Sequence, residues 1–193
     1  MQFRALGTLE VLDDAGRPVD VGGAQPRSVL AALLAAEHQV VSIDALVEAV
    51  WRDEPPPSAA ATLQSYISRL RRQFDEAAPL LREATGYRLV AGADHVDFRR
   101  FEAQVGAGRA LLEDGQLIEA RTVLTDALAL WRGDAFADFP DLELVTGPAR
   151  RLDELRLAAL DDRITADLDL GRHAVVIGEL TELVGLHPRS TSQ

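Results

Sequence analysis

One short segment of the chain, residues 58–74, concentrates side chains that can bind nucleic acid. It reads SAAATLQSYISRLRRQF and contains three arginines and no Asp or Glu. Guanidinium groups bind phosphates and the acceptor edge of guanine, while hydroxyl and amide groups bind phosphate oxygens. These residue types favour recognition of phosphates and bases, although an ordinary solvated face of a surface helix has a similar composition.

The spacing of the apolar residues predicts that this segment is a helix. Four of them recur at about 100° per residue and should form one buried stripe: Leu63, Ile67, Leu70 and Phe74. Pro55, Pro56 and Pro57 cannot continue a preceding helix, and Ser58 is a good N-cap residue. We therefore expect the polar side chains to lie on the outer face, with Arg69 and Arg72 pointing most directly outward.

The elements around this helix predict a specific order. Short β-prone runs separated by DDAGRP fill residues 3–21, and a helix is expected to begin at Pro26. A second helix, capped by Ser42, should bury Ile43, Leu46, Val47 and Val50. After the candidate helix, LLREA and YRLV flank a turn at Thr85 and Gly86, which indicates a β-hairpin. Strands, three helices and a hairpin are the order of a winged helix-turn-helix domain.

The sequence resembles a known family at these motifs. TLQSYISRLRR followed by TGYRL resembles the OmpR/PhoB-type winged helix. QFRALGTLEV and the proline-rich loop precede these motifs, and the combination is similar to the DNA-binding half of the Streptomyces antibiotic regulatory protein family. The resemblance implies an α+β winged helix DNA-binding domain over residues 1–95.

The second half, residues 96–193, is predicted to be entirely helical. Asp97 should cap its first helix, Gly115 should separate that helix from a second, and a long helix is expected over about residues 148–170. The stripe of the second helix should comprise Leu117, Ala120, Leu124, Ala127 and Leu128. VDFRRFE, ALALWRGDAF and RLDELRLAALDDRITADLDLGRH resemble the bacterial transcriptional activation domain of the same family. This half is therefore expected to form tetratricopeptide-like helical hairpins.

The chain ends soon after His187 and Pro188, where that family continues into further helices. We therefore expect the activation domain to be incomplete. Both a fragment and a naturally shortened protein would explain this.

The resemblance assigns candidate binding residues. Those expected to contact double-stranded DNA are Thr62, Gln64, Ser65, Ser68, Arg69, Arg71, Arg72 and, in the hairpin, Arg88. For Arg88, a solvated strand residue is the alternative. Asp53 and Glu54 match the position of the family's transactivation loop and are expected to meet RNA polymerase holoenzyme, with a simple polar connector as the alternative. Trp51 and Tyr66 are expected to fill the seam between helices rather than to stack on bases.

Composition argues against several classes of chemistry. The chain has no cysteine, and its 20 Lys+Arg residues are all arginine, which leaves no thiolate and no lysine nucleophile. Four histidines lack metal-ligand spacing, and Asp161, Asp162, Asp167 and Asp169 are expected to form a solvated helix face. We expect no enzyme activity and no cofactor. Without a run of about 18 apolar residues or a targeting segment, a cytoplasmic protein with no membrane partner is expected.

The first functional hypothesis is a transcriptional activator of a secondary-metabolite, or antibiotic, biosynthetic gene cluster. It would bind direct repeats as a dimer and recruit RNA polymerase. The net charge of -11 repels DNA at long range, so binding requires a local basic face and depends strongly on salt. The alternative is a shortened protein-interaction module that acts as a decoy or regulator of a full-length relative.

Overall fold

The chain begins with two short antiparallel strands. The computed structural model describes residues 1–74, 79–173 and 176–178, and strands β1 (Gln2–Arg4) and β2 (Glu10–Leu12) pair with Phe3 opposite Val11. Both of these side chains are buried. The chain then turns back, and a single bridge joins Leu12 to Pro18. The expected meander is present, although its third run forms only that bridge.

Three helices follow these strands. Their bounds are α1 Ala24–Ala35, α2 Ile43–Trp51 and α3 Ala59–Phe74. The prediction that α1 begins at Pro26 is wrong, because Gly23 is its N-cap and Pro26 is the third helical residue. The N–H groups of the first turn have no partner within a helix, so a proline is tolerated there.

The second helix confirms its predicted cap but only part of its predicted stripe. The Ser42 hydroxyl accepts the Ala45 N–H at 3.1 Å. Leu46 is fully buried, whereas Ile43, Val47 and Val50 are only half-buried. The expectation of a continuous buried stripe is therefore wrong for α2. Neighbouring parts of the chain cover the helix fully only at Leu46, and the apolar residues on either side of it remain partly exposed to solvent.

A three-stranded sheet completes this part of the chain. It contains β3 Val41–Ser42, β4 Leu80–Arg82 and β5 Gly86–Leu89 in the order β3-β5-β4. The β4–β5 hairpin confirms the predicted wing. A Cβ atom at Gly86 would lie 1.8 Å from the carbonyl oxygen of Val41, so the pairing of β3 with β5 requires glycine at this position.

A short 3-10 helix, Ala93–His95, precedes helix α4, Asp97–Glu113. The prediction that Asp97 caps α4 is wrong, because most of the N–H groups that bind its carboxylate lie outside this helix. Its carboxylate accepts the N–H groups of Ala5 and Leu6 at 2.8–3.0 Å and that of Phe98 at 2.8 Å, and Arg132 lies 3.6 Å away. Burial raises the pKa of Asp97, although these donors and Arg132 favour its charged form.

Contacts divide the chain into two units: Met1–Phe101 with Leu130–Leu155, and Glu102–Ala129 with Arg156–Gln193. The first unit therefore includes residues 130–155, which were expected from the sequence to belong to the second half. Its backbone N–H groups at Arg132 and Phe136 donate to the carbonyl oxygens of Leu6 and Ala5 at 2.8 and 2.6 Å.

The long helix α6 spans Glu143–Asp169. The prediction that it begins near residue 148 is wrong, because a turn and a half precedes Pro148. Val145, in this first part of the helix, is buried, and its N–H donates to the carbonyl oxygen of Leu142 at 2.9 Å. Packing of this turn therefore outweighs the preference for placing proline at a helix start.

The described part of the second unit consists of packed helices. Gly115, at φ +73°, ends the first of them before α5, Leu117–Leu128. Of the predicted α5 stripe, Ala120, Leu124 and Ala127 are buried, and the two terminal leucines are half-buried. A Cβ atom at Gly108 would lie 2.7 Å from the side chain of Leu124, so α4 and α5 approach closely at this glycine.

The expectation of a solvated acidic face on α6 is wrong for Asp167. This side chain is completely buried and accepts hydrogen bonds from Arg121 at 2.5 Å and Arg163 at 3.3 Å. Asp162 is largely covered and pairs with Arg109 at 2.6 Å. Asp161 and Asp169 are exposed, as predicted. Most of the helix expected after Gly171 lies outside the described residues.

Candidate nucleic-acid interface

Helix α3 is anchored by the residues that the sequence predicted. Leu63, Ile67, Leu70 and Phe74 are each 1% exposed or less, which confirms the buried stripe. Phe74 also packs edge-on against Phe3, with ring centroids 5.2 Å apart. Since burying a large apolar side chain contributes about 1.5–3 kcal/mol, these contacts fix the rotation of α3 about its axis.

This rotation decides which polar side chains face solvent. The exposed ones are Gln64, Ser65, Ser68, Arg71 and Arg72, and the half-buried ones are Thr62 and Arg69. Among the described residues, Arg72 makes no ion pair. The expectation that Arg69 points directly outward is wrong, because its guanidinium lies on one flank and pairs with Asp20 at 3.1 Å.

Arg71 occupies the opposite flank, beside the wing. Its Nε donates to the carbonyl oxygen of Leu80 at 2.7 Å, and its guanidinium lies 5.8 Å from the centre of the Tyr87 ring. Arg82, in β4, lies over the same ring at 4.8 Å. Two cations therefore share one aromatic ring where α3 meets the wing.

Arg88, the wing residue selected from the sequence, has an acidic partner. Its Nη2 and Nε donate to one carboxylate oxygen of Glu83 at 2.6 and 3.1 Å. Much of its charge is therefore compensated within the hairpin. Arg82 is exposed, so the positive charge of the wing lies mainly at this residue. The sequence predicts this contribution, because Arg82 lies in LLREA, beside the turn of the predicted hairpin.

The two aromatic residues near α3 lie side by side. Trp51 and Tyr66 stack with their ring centroids 6.3 Å apart and an angle of 18° between the rings. The Tyr66 hydroxyl donates to Gln25 in α1. Both aromatic side chains are half-buried. They fill the seam between helices, as predicted, while keeping an accessible edge.

The loop before α3 carries the two acids assigned to polymerase contact. Asp53 and Glu54 are exposed. Asp53 borders a cleft of about 610 Å³ whose other acidic lining residues are Glu48, Asp138, Asp141 and Glu143. Asp138 is held by Arg27 at 2.5 Å and Asp141 by Arg52 at 3.6 Å. The cleft is acidic at its rim, opposite in charge to the outer face of α3.

In the described ranges, no three His, Cys, Asp or Glu side chains come together in a way that could hold a metal ion. Likewise, none of the helices in these ranges combines the length and apolar character needed to cross a membrane. His38 contacts Arg99 through Nε2, which is a structural role.

Two family models match the chain. Residues 18–89 match "Transcriptional regulatory protein, C terminal", and residues 96–191 match "Bacterial transcriptional activator domain". These matches identify a transcriptional regulator, and the fold agrees with them: an OmpR/PhoB-type winged helix-turn-helix, with α3 flanked by the β4–β5 hairpin, precedes a tetratricopeptide-like helical domain in the chain. The relatives identify the family more closely.

Regulatory protein AfsR of Streptomyces coelicolor is 37% identical over 191 residues, which cover 97% of this chain and 19% of AfsR. Regulatory protein DnrI of Streptomyces peucetius is 35% identical over 198 residues, covering 97% of this chain and 72% of DnrI. The chain belongs to the Streptomyces antibiotic regulatory protein family.

A solved structure of Mycobacterium tuberculosis EmbR, in complex with a low affinity phosphopeptide, has a similar fold. The TM-score is 0.88 at 33% identity, over 98% of this chain and 51% of the EmbR chain. This chain therefore spans about half of the EmbR chain and about a fifth of AfsR.

Proposed function

We propose that α3 and the wing bind double-stranded DNA, with α3 in the major groove. The observation that carries this proposal is the outer face of α3, where arginine, hydroxyl and amide groups are presented by a helix whose rotation is fixed by four buried anchors. The DNA-binding residues of this proposal are Thr62, Gln64, Ser65, Ser68, Arg69, Arg71, Arg72 and Arg88. Phosphate contacts set the register of such a helix, and base contacts supply specificity.

The environments of the arginines suggest different roles for them. Arg72 is exposed and has no acidic partner among the described residues, so no carboxylate beside its guanidinium would repel a bound phosphate. Arg71 is tied to the wing through Leu80 and would bind at the edge of the groove. Arg88 should contribute least, because Glu83 already compensates its charge.

We further propose that the chain activates a secondary-metabolite, or antibiotic, biosynthetic gene cluster from direct repeats. Two copies would bind head to tail on adjacent major grooves, with repeats about 10–11 bp apart. Membership of the family and the similarity to AfsR and DnrI support this assignment. In this proposal residues 1–95 act as the DNA-binding module and residues 96–193 as the activation module, both in the cytoplasm.

Recruitment of RNA polymerase holoenzyme is assigned to the loop before α3. Asp53 and Glu54 are exposed beside the acidic cleft, so a basic segment of the polymerase would complement this surface in charge. Arg52 and Asp141 pair at 3.6 Å across the same cleft. Asp53→Ala combined with Glu54→Ala should therefore reduce transcription from a bound promoter without reducing DNA binding.

Selection of bound DNA tests the main proposal. Random genomic fragments would be incubated with the purified chain, and the retained fragments sequenced and footprinted. We expect a repeated motif with a spacing of about one helical turn. If no fragment is enriched over a control without protein, the DNA-binding assignment is wrong.

A second candidate is a protein-interaction module that acts as a decoy or regulator of a full-length relative. The helical unit favours it by exposing large apolar side chains, with Ile118 62% and Leu157 67% exposed. A protein partner that covered these side chains would remove apolar surface from water. This function is preferred if the chain footprints no promoter but co-purifies with a full-length relative or a polymerase subunit.

A further inference from the structure

The turn that precedes α1 lies against one arginine of α3. One carboxylate oxygen of Asp20, Oδ1, accepts the N–H of Gly22 at 2.8 Å. The other oxygen, Oδ2, accepts a hydrogen bond from Nη2 of Arg69 at 3.1 Å. The backbone of the turn therefore holds the carboxylate in place, and the carboxylate in turn holds the guanidinium.

Gly22 lies against the same guanidinium group of Arg69. Its φ is +101°, a conformation that favours glycine. A Cβ atom at this position would lie 2.9 Å from Cγ of Pro26 and 3.3 Å from both Cζ and Nη1 of Arg69. The guanidinium thus packs directly on the glycine backbone. We call Asp20 and Gly22 the Arg69 socket.

We propose that the Arg69 socket positions Arg69 to read a base edge, so that Asp20 is a positioning residue for sequence specificity. This inference rests on the proposed binding of DNA by α3. Asp20 engages one nitrogen of a guanidinium that has five N–H donors. The side chain of Arg69 is still 44% exposed, so donors remain for the two acceptors of guanine.

Charge distinguishes base reading from phosphate binding at this position. The side chain of Asp20 is 80% exposed, and its negative charge would repel a phosphate bound to the same guanidinium. A base edge is uncharged and does not incur this repulsion. Arg72, on the outer face, has no acidic partner among the described residues, so it and Arg69, on the flank of α3, are suited to different parts of the duplex.

Pre-organisation explains why such a socket would increase specificity. A free arginine side chain can adapt to several acceptors, whereas one held in a single orientation matches one base geometry. The socket should therefore change the ratio of the affinities for correct and incorrect DNA sequences. It should have little effect on the number of phosphates that the protein neutralises.

The test compares Asp20→Ala with the wild type on a duplex recovered by the fragment selection and on single base-pair substitutions of it. The base pair read by Arg69 is the one whose substitution weakens the wild type but not Arg69→Ala. At this pair, we expect Asp20→Ala to lower discrimination about 5-fold, at the low end of the cost of one mismatch. Its salt slope should match that of the wild type.

Two further variants isolate the role of the socket. Asp20→Glu retains the carboxylate and should recover part of the discrimination. Asp94→Ala removes an exposed acid elsewhere in the same unit and changes net charge equally, so it should leave discrimination unchanged. Far-UV circular dichroism of each variant would verify that it is folded.

The outcomes separate this inference from the proposed function. If the wild type binds a selected duplex and Asp20→Ala discriminates equally well, only the socket inference is overturned. It is also overturned if Asp20→Ala binds every duplex more tightly with a salt slope steeper by about 1, since Asp20 would then compete with phosphate. Failure of the wild type to bind any duplex would overturn the proposed function, and this inference with it.

Discussion

Replacing Asp97 with alanine removes the acceptor that joins the first strand region to the start of α4. The N–H groups of Ala5 and Leu6 are buried and donate only to this carboxylate among the described side chains. Leaving a buried donor without an acceptor costs about 1–3 kcal/mol. With two such donors, we expect Asp97→Ala to lower the free energy of unfolding by about 2–6 kcal/mol.

Urea unfolding followed by tryptophan fluorescence would measure this loss. Trp131 is 9% exposed and packs against Phe101, with ring centroids 5.3 Å apart, so its emission reports on the unit that contains Asp97. Asp94→Ala, three residues away and exposed, should change stability by less than about 0.5 kcal/mol. An Asp97→Ala variant as stable as this control would show that the two N–H groups do not depend on the carboxylate.

The pH dependence of stability provides a second arm of the same prediction. Burial raises the pKa of Asp97 above its ordinary value of 3.8, so the folded state favours the protonated form. The stability gained from this preference is full below pH 3.8 and is lost as pH rises through the raised value. Asp97→Asn carries no titrating group, so the wild type should lose stability relative to this variant over that window. A relative gain would contradict the assignment.

Two further substitutions test the pairing of β3 with β5 and the buried charge of Asp167 in α6. Gly86→Ala places a Cβ atom 1.8 Å from the Val41 carbonyl oxygen, so it should disrupt the pairing of β3 with β5 and weaken DNA binding, measured by gel shift. Binding equal to the wild type would contradict this expectation. Asp167→Asn removes a charge that is completely buried between two arginines and should cost about 3 kcal/mol in chemical unfolding. Asp162→Asn, in the more exposed pair with Arg109, should cost about 1 kcal/mol or less, and equal losses for both variants would be inconsistent with burial as the cause.

Local periodicity predicted the elements whose stability depends on one buried face. The stripe of α3 recurs every three to four residues, so Leu63 and Phe74 could be assigned to the core from spacing alone. The β4–β5 hairpin was similarly visible, because its turn residues and β-prone flanks are adjacent in the chain.

Features that depend on distant parts of the chain were missed. Arg69 was expected to point outward, yet Asp20, 49 residues earlier, holds it on the flank of α3. Asp97 was assigned to a local cap, whereas its main partners lie 91 and 92 residues away. Neither pairing leaves a trace in local periodicity. The burial of Asp167 was missed for the same reason, because a carboxylate on a helix resembles a solvated residue until its arginine partners on other turns and helices are known.

The salt dependence of DNA binding by Arg72→Ala tests the central claim, that the outer face of α3 binds the duplex. Affinity for a selected duplex would be measured over a series of salt concentrations for the wild type, for this variant and for Arg150→Ala. Arg150 is 82% exposed on α6 and serves as the matched control. If Arg72 binds one phosphate, its loss should weaken binding and make the slope of log K against log salt shallower by about 0.9, with the control equal to the wild type. An Arg72→Ala variant that matches the wild type in both affinity and slope would contradict the claim.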